Sequence, residues 1–379
     1  MIIYLFVFSI SIYFTWLAER STKNKPIFFL LSSIAILTLS VLAGCRDSGI
    51  GTDTEVYVNK IWSKIIDINS WNDFIFYYQQ KYFEDIEFIY LLLNWITSLF
   101  SKDVHSIYFI TNLVVVVFTY LTLYDNRKKA SMWIGMTFFC FIYYNLSLNL
   151  VRQSIALSMC MYSFKYWQRK QWIKAIIWFI IILNTHNTGI FYSIVIVTFF
   201  LTQIQNNKVK NILLSSFIII NLIIFIAFDF ILILVIKLGI LPTKFLWYLG
   251  SENEMLFIKS VFINYLIFLF SFFFMSKENN NINDKNNLKT FTLYKLLGCL
   301  FFVTSIISQW SYRISYYINY LTDCSFLPQA LKISSKNSKK YYQIYLLSCI
   351  SISIIVWYWS IVVHNGNETI PYKSKILGI

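Results

Sequence analysis

The sequence predicts an all-α, polytopic integral membrane protein of about twelve transmembrane helices, with a large external loop after the second helix. Of its 379 residues 58% are hydrophobic and only 13% charged, which is more apolar surface than a soluble core of that length can hide. The apolar residues come in runs of about 15 to 20, and inside hydrocarbon such runs must be helices, because every backbone N–H and C=O has to be paired within the chain. The alternating ten-residue strands of a barrel are absent. Charge supplies the third observation. The chain carries +14, from 32 Lys and Arg against 18 Asp and Glu, but the excess is not gathered as a nucleic-acid surface, and no nucleic acid is expected as a partner. Six short loops (19–26, 125–130, 168–174, 206–211, 276–289 and 332–340) hold 18 of the basic residues and 4 of the acidic ones. This is the positive-inside pattern, which places those loops in the cytoplasm.

Taken in order, the expected spans are 2–18, 27–45, 107–124, 131–149, 153–167, 172–185, 188–203, 212–236, 256–275, 291–311, 314–331 and 342–363, a single transmembrane domain over 1–379. The first has no basic segment before it and runs into Glu19 and Arg20 without a small-residue cleavage site, so it reads as a retained span. Threading the spans through the basic loops puts both termini outside. If 86–100 crossed as well, every later basic loop would change sides; it is therefore predicted to be an interfacial or re-entrant helix on the outer face. Residues 46–106 then form the largest external, periplasmic segment, and 46–85 carry seven acidic residues against four basic ones. A second external loop is expected at 241–255, and the Asn-rich stretch 276–289 reads as a flexible cytoplasmic connector. No internal repeat supports an inverted-repeat transporter. The six cysteines lie scattered in apolar segments without C-x-x-C or metal-ligand spacing and read as small hydrophobes, so neither a metal nor a cofactor is expected.

Charges near spans cost roughly 2.5 to 3.5 kcal/mol at a helix centre, so each needs a reason. Four places stand out. In 45–54, CRDSGIGTDT, the glycines allow a tight turn, Arg46 can fork onto a phosphate, and Asp47 or Asp53 can hold that arginine or accept sugar hydroxyls; the alternative is a surface cap with Asp47 paired to Arg46. Asn145, Asn149 and Arg152 share one stripe if a helix runs through them, with Gln153 alongside; they read either as helix–helix glue or as an arginine facing an outward-open cavity. His186, in the polar hinge NTHNTG (184–189), has side-chain chemistry suited to proton transfer near neutral pH, against the plainer reading of a hairpin turn. Arg313 is followed by Tyr317 and Tyr320 at i+4 and i+7, tyrosines that stack on sugars or belong to an aromatic belt. The topology puts Arg46, Arg152, His186 and Arg313 on the outer side, a set of charges suited to a diphosphate.

The segments GCRDSGIGTDTEVY, NLVRQSIALSMCMYSFKYW, THNTG, SYRISYYINY and NGNETIPYKS, in that order, resemble the EpsG family of Wzy-like O-antigen and exopolysaccharide repeat-unit polymerases. The resemblance implies a membrane-embedded glycosyltransferase of the bacterial cytoplasmic (inner) membrane. Its substrate would be an undecaprenyl-diphosphate-linked oligosaccharide, and its partners membrane lipid, a Wzz-like chain-length regulator and a Wzx-like flippase. In such an enzyme Arg152 and Arg313 would hold the departing diphosphate, His186 would take the acceptor proton, and Arg46 or Asp47 would set the acceptor, with Asp53, Gln153, Asn149 and Tyr317 lining the substrate. The rival readings are a lipid-linked oligosaccharide flippase, a multi-span sugar O-acetyltransferase, and a metal-using transferase relying on Asp47 with Asp53.

Overall fold

The computed structural model describes residues 1–239, 282–303, 312–335 and 339–379. Among them there is no strand. The α-helices are α1 (Ile2–Arg20), α2 (Lys25–Gly44), α3 (Asn59–Ile65), α4 (Trp71–Gln79), α5 (Phe88–Phe100), α6 (Val104–Asn126), α7 (Met132–Phe138), α8 (Tyr144–Asn149), α9 (Val151–Gln168), α10 (Trp172–Leu183), α11 (Tyr192–Thr202), α12 (Asn207–Ile226), α13 (Phe228–Lys237), α14 (Ile282–Val303), α15 (Tyr312–Leu321), α16 (Leu327–Ser335) and α17 (Lys339–Trp357). Four stretches among the described residues are long and apolar enough to cross a membrane: α1, α2, α6 and Tyr342–Val363.

Several expected spans are interrupted. The span 131–149 is α7, a π turn over Phe139–Tyr143 and α8; 314–331 is α15, a π turn over Thr322–Phe326 and α16; and 212–236 breaks at Ala227 between α12 and α13. A π turn widens the helix by one residue and redirects the side chains that follow it. The span 256–275 and the loop 241–255 lie outside the described residues, as does the first part of 276–289. From Ile282 onward that Asn-rich stretch is helical, not a flexible connector: α14 begins upstream of the apolar run and buries Leu288.

The first of two compact units comprises Met1–Ile190, Asp323–Lys332 and Ile350–Ile379. Here α1 packs on α2 and α7, α2 on α6, α6 on α9 and α9 on α10. Asn24 caps α2 by accepting the Ile27 N–H (3.4 Å), and Pro26 sits in the first turn, where its missing N–H costs nothing. Polar side chains inside these apolar helices bond within the packing. Ser11 donates to the Ala35 carbonyl (2.8 Å), Ser32 and Tyr120 hydroxyls meet at 2.8 Å, and Thr15, Thr111 and Thr119 bond the carbonyl one turn back.

One end of this unit carries the basic loops. There the Glu19 carboxylate accepts the Met132 N–H (2.8 Å), Lys332 donates to the Lys128 carbonyl (3.0 Å), and Lys165 pairs with Asp125 (2.5 Å). The opposite end gathers the close of α2, residues 46–103, the starts of α6 and α9, the close of α10 and the segment 364–379. Helix α5 has both of its flanks at that end: the Ile89 N–H bonds the Asn184 carbonyl (2.8 Å), and just past Phe100 His105 donates to the Gly44 carbonyl (2.8 Å). Its 13 residues reach only about 20 Å at 1.5 Å each, short of a hydrocarbon core of about 30 Å. It buries Tyr90, Leu91, Asn94, Thr97 and Ser98 while Ile96, Leu99 and Phe100 are exposed.

The second unit comprises Phe191–Thr322 and Ile333–Cys349. In it α14 packs on α15, and α11 packs on both. Tyr294 donates to the Val195 carbonyl at 3.0 Å.

Candidate functional site

After α2 the chain turns at Gly51. Its φ of +82° lies in the region that penalises a side chain, and a Cβ here would sit 2.6 Å from the Leu148 carbonyl oxygen. That close approach lets the Asp53 N–H donate to Asn149 Oδ1 (3.2 Å) and the Thr54 hydroxyl to the Leu148 carbonyl (3.4 Å). The loop after α2 is thereby fastened to the end of α8.

At the same point the helix that would carry Asn145, Asn149 and Arg152 on one stripe is broken. Leu150 takes φ −85° and ψ 65°, ending α8, and α9 starts afresh at Val151. The three polar residues go to three places. Asn145 is buried, accepting from Trp357 Nε1 (2.8 Å) and donating to Thr369 Oγ1 (2.8 Å). Asn149 accepts from Asp53. Arg152, in the first turn of α9, donates to Glu87 Oε2 at 2.7 Å.

Glu87 stands just before α5. Its carboxylate does not cap that helix but accepts three hydrogen bonds from elsewhere: Arg152 on one oxygen, and on the other His186 Nδ1 (3.0 Å) and the Asn187 N–H (2.9 Å). The hinge holding His186 is a tight turn after α10. The His186 N–H bonds the Ile182 carbonyl (3.0 Å), the Gly189 N–H bonds the His186 carbonyl (2.8 Å), and a Cβ on Gly189 would lie 2.7 Å from Ile182 Cγ2. Glu87 is 5% exposed at its side chain, Arg152 and His186 16% each. Burial pushes the Glu87 carboxyl up, but the His186 hydrogen bond, the Arg152 and His186 charges and the Asn187 N–H together outweigh it and hold the group at about 2. An ionised carboxylate has no proton to give, so Nδ1 of His186 must carry the hydrogen between them, and Nε2 is the nitrogen able to take another. Among the described residues Arg152 makes its one hydrogen bond to Glu87, leaving the rest of the guanidinium fork for another acceptor. The Tyr57 and Tyr90 rings flank it, with centroids 5.2 and 6.0 Å from Cζ.

The other sequence-derived site residues fall elsewhere. Arg46 is 1% exposed, donates to Thr54 Oγ1 (3.2 Å) and stands 4.9 Å from the Tyr108 ring centroid. It is not paired with Asp47. Asp47 instead accepts the Lys375 N–H (2.9 Å) and gives its own N–H to the Lys373 carbonyl (3.0 Å). Gln153 is buried and is not a partner of Glu87. Arg313 and Tyr317 belong to the second unit, where Tyr317 and Tyr320 are buried on α15. Among the described residues no group of three or more His, Cys, Asp or Glu gathers as a metal site. Sequence reasoning missed Glu87. Glu84 and Asp85 stand just before it, so nothing local singles out Glu87 as the carboxylate that is buried and paired.

A family model described as the EpsG family matches residues 27–374. The chain belongs to the EpsG family. This is the family of Wzy-like polysaccharide polymerases, and membership points to polysaccharide polymerisation by a membrane protein as the class of function. The EpsG match takes in Arg46, Glu87, Arg152, His186 and Arg313. No curated protein and no solved structure matches the chain.

Proposed function

We propose that this EpsG-family chain is a multi-pass glycosyltransferase of the bacterial cytoplasmic membrane that joins undecaprenyl-diphosphate-linked repeat units into O-antigen or a related surface polysaccharide on the periplasmic face. The observation that carries this reading is Glu87, which brings Arg152 and His186 to one buried carboxylate at the end of the first unit opposite the basic loops. The positive-inside rule makes that end the outer one and the segment 46–106 periplasmic, with α5 lying in the interface.

The cluster supplies what the transfer needs. The bond between the sugar C1 and the diphosphate oxygen breaks, its electron pair staying with undecaprenyl diphosphate, while the acceptor hydroxyl oxygen bonds to C1 and its proton passes to His186 Nε2. Glu87 holds the imidazole in the tautomer that makes Nε2 basic. Arg152 stabilises the charge that grows on the leaving diphosphate with the donors that Glu87 leaves over. A Wzx-like flippase would deliver the substrate and a Wzz-like regulator would set product length.

The test is gel profiling of surface glycan from a strain lacking the gene, complemented with the wild-type chain, Arg152→Ala or His186→Ala. The expected result is single repeat units in the deletion strain, a ladder with the wild type and none with either variant at equal membrane levels. Full-length polymer from both variants sinks the site assignment, and repeat units trapped on the cytoplasmic side replace polymerase with flippase.

A further inference from the structure

Arg46 is an anomaly among the charges of this chain. Its side chain is fully enclosed, with four tyrosines around it (Tyr4, Tyr108, Tyr144 and Tyr372) and no carboxylate among its partners. Among the described residues it has one hydrogen bond, to Thr54, and its Nε has none. The tyrosine hydroxyls donate elsewhere: Tyr4 to the Thr369 carbonyl (2.9 Å), Tyr108 to Asn59 Oδ1, Tyr144 to the Leu39 carbonyl (2.8 Å) and Tyr372 to the Leu42 carbonyl (2.7 Å). A guanidinium cannot shed its proton, so this is a permanent cation enclosed without an anion, an arrangement that costs stability.

What closes the enclosure is the segment after the last helix. Residues 368–375 lie over the loop that holds Arg46 by way of the Gly51 N–H to the Glu368 carbonyl (3.0 Å), Thr52 to the Glu368 carboxylate, the Asp47 N–H to the Lys373 carbonyl, the Lys375 N–H to Asp47 and Ser374 Oγ to the Cys45 carbonyl (2.5 Å). One wall of the tyrosine cage, Tyr372, is part of this strap. The strap is also tied further in, by Tyr372 to the Leu42 carbonyl and at Thr369, which accepts from Tyr4 and Asn145; none of its bonds reaches the guanidinium, so lifting it does not break Arg46 from Thr54.

We propose that Arg46 is a closed anion site for a diphosphate group, opened when the 368–375 strap lifts and takes Tyr372 with it. The site rests on the polymerase reading for the source of its ligand, the diphosphate of the lipid-linked substrate. In the closed form the cation is desolvated and unpaired. A diphosphate entering on the side vacated by Tyr372 gives Arg46 its missing acceptor, and the measured affinity is lowered by the fraction of time the strap is shut.

The experiment measures binding of undecaprenyl diphosphate and, separately, of inorganic pyrophosphate to the full chain in nanodiscs, together with thermal melting without ligand. Arg46→Gln is expected to melt no lower than the wild type, because an uncompensated charge is gone, yet to bind the lipid diphosphate at least tenfold more weakly; equal affinity, or a lowered melting temperature, overturns the proposal. Thr52→Ala combined with Ser374→Ala loosens the strap and leaves Arg46 in place. It is expected to tighten binding by at least threefold, and unchanged or weaker binding overturns the proposal too. The same dependence with inorganic pyrophosphate means the diphosphate alone is recognised, while dependence with the lipid form only means the lipid is read as well. A wild-type chain that binds neither probe sinks both this site and the polymerase reading; one that binds the lipid form regardless of Arg46 sinks this site alone.

Discussion

Glu87 and Arg152 meet at 2.7 Å across 65 residues of chain, one standing before α5 and the other in the first turn of α9. The pair joins the external segment to the helical body at the point where His186 also arrives. Removing the carboxylate leaves the guanidinium without its paired counter-charge, with only the weaker influence of Asp53, and removes the Nδ1 partner that fixes the imidazole tautomer. Glu87→Gln is therefore expected to abolish the glycan ladder and to cost about 3 to 5 kcal/mol of stability, the usual consequence of breaking a buried pair from one side. Ladder profiling and thermal melting of the purified chain check the two effects separately.

The same carboxylate sets a pH dependence. Its folded-state value of about 2 lies below the ordinary 4.5, so the stability it contributes is complete above about pH 4.5 and is lost as pH falls toward 2. The gap corresponds to roughly 3 kcal/mol. Melting curves of the wild type and Glu87→Gln taken from pH 6 downward should converge as pH approaches 2. A constant separation over that range contradicts the expectation.

Gly51 has no room for a side chain against the Leu148 carbonyl. Gly51→Ala adds a strained backbone, costing about 1 to 3 kcal/mol, to a clash that pushes the Asp53 and Thr54 contacts off the end of α8. The expected phenotype is a chain present in the membrane at normal level with a shortened or absent ladder, read by immunoblot beside the glycan gel.

Asn145 serves packing. Asn145→Leu strands Trp357 Nε1 and Thr369 Oγ1 without their partner and should lower stability by about 1 to 3 kcal/mol. Thr369 belongs to the 368–375 strap, so lipid diphosphate binding measured well below the melting temperature should be no weaker than in the wild type.

Phe100 is 87% exposed at the end of α5. A spin label at Phe100→Cys should show the accessibility of the headgroup boundary: more oxygen contact than a loop site, less than a site at mid-α2. Full aqueous accessibility rules out the interfacial placement of α5.

How far the molecule could be read from its sequence depends on the range of the interaction concerned. Helices α1, α2 and α6 are legible because each is an uninterrupted apolar run bounded by charged or polar residues. Arg152 and His186 are legible because charge and imidazole are scarce in such surroundings. The break at Leu150 is not, since leucine favours helices and neither glycine nor proline marks the spot; the break is imposed by the Asp53 and Thr54 contacts from a loop almost a hundred residues earlier. Glu87 escaped for the same reason, its partners lying 65 and 99 residues onward. The enclosure of Arg46 depends on a strap more than 320 residues away, and no local pattern announces it.

That last distance has a consequence in time. The ribosome delivers Arg46 and Gly51 more than 300 residues before Glu368, Tyr372 and Ser374. Over that interval the pocket around Arg46 lacks the Tyr372 side of its enclosure. A copy halted before residue 368 lacks the whole strap and leaves Arg46 without its cover.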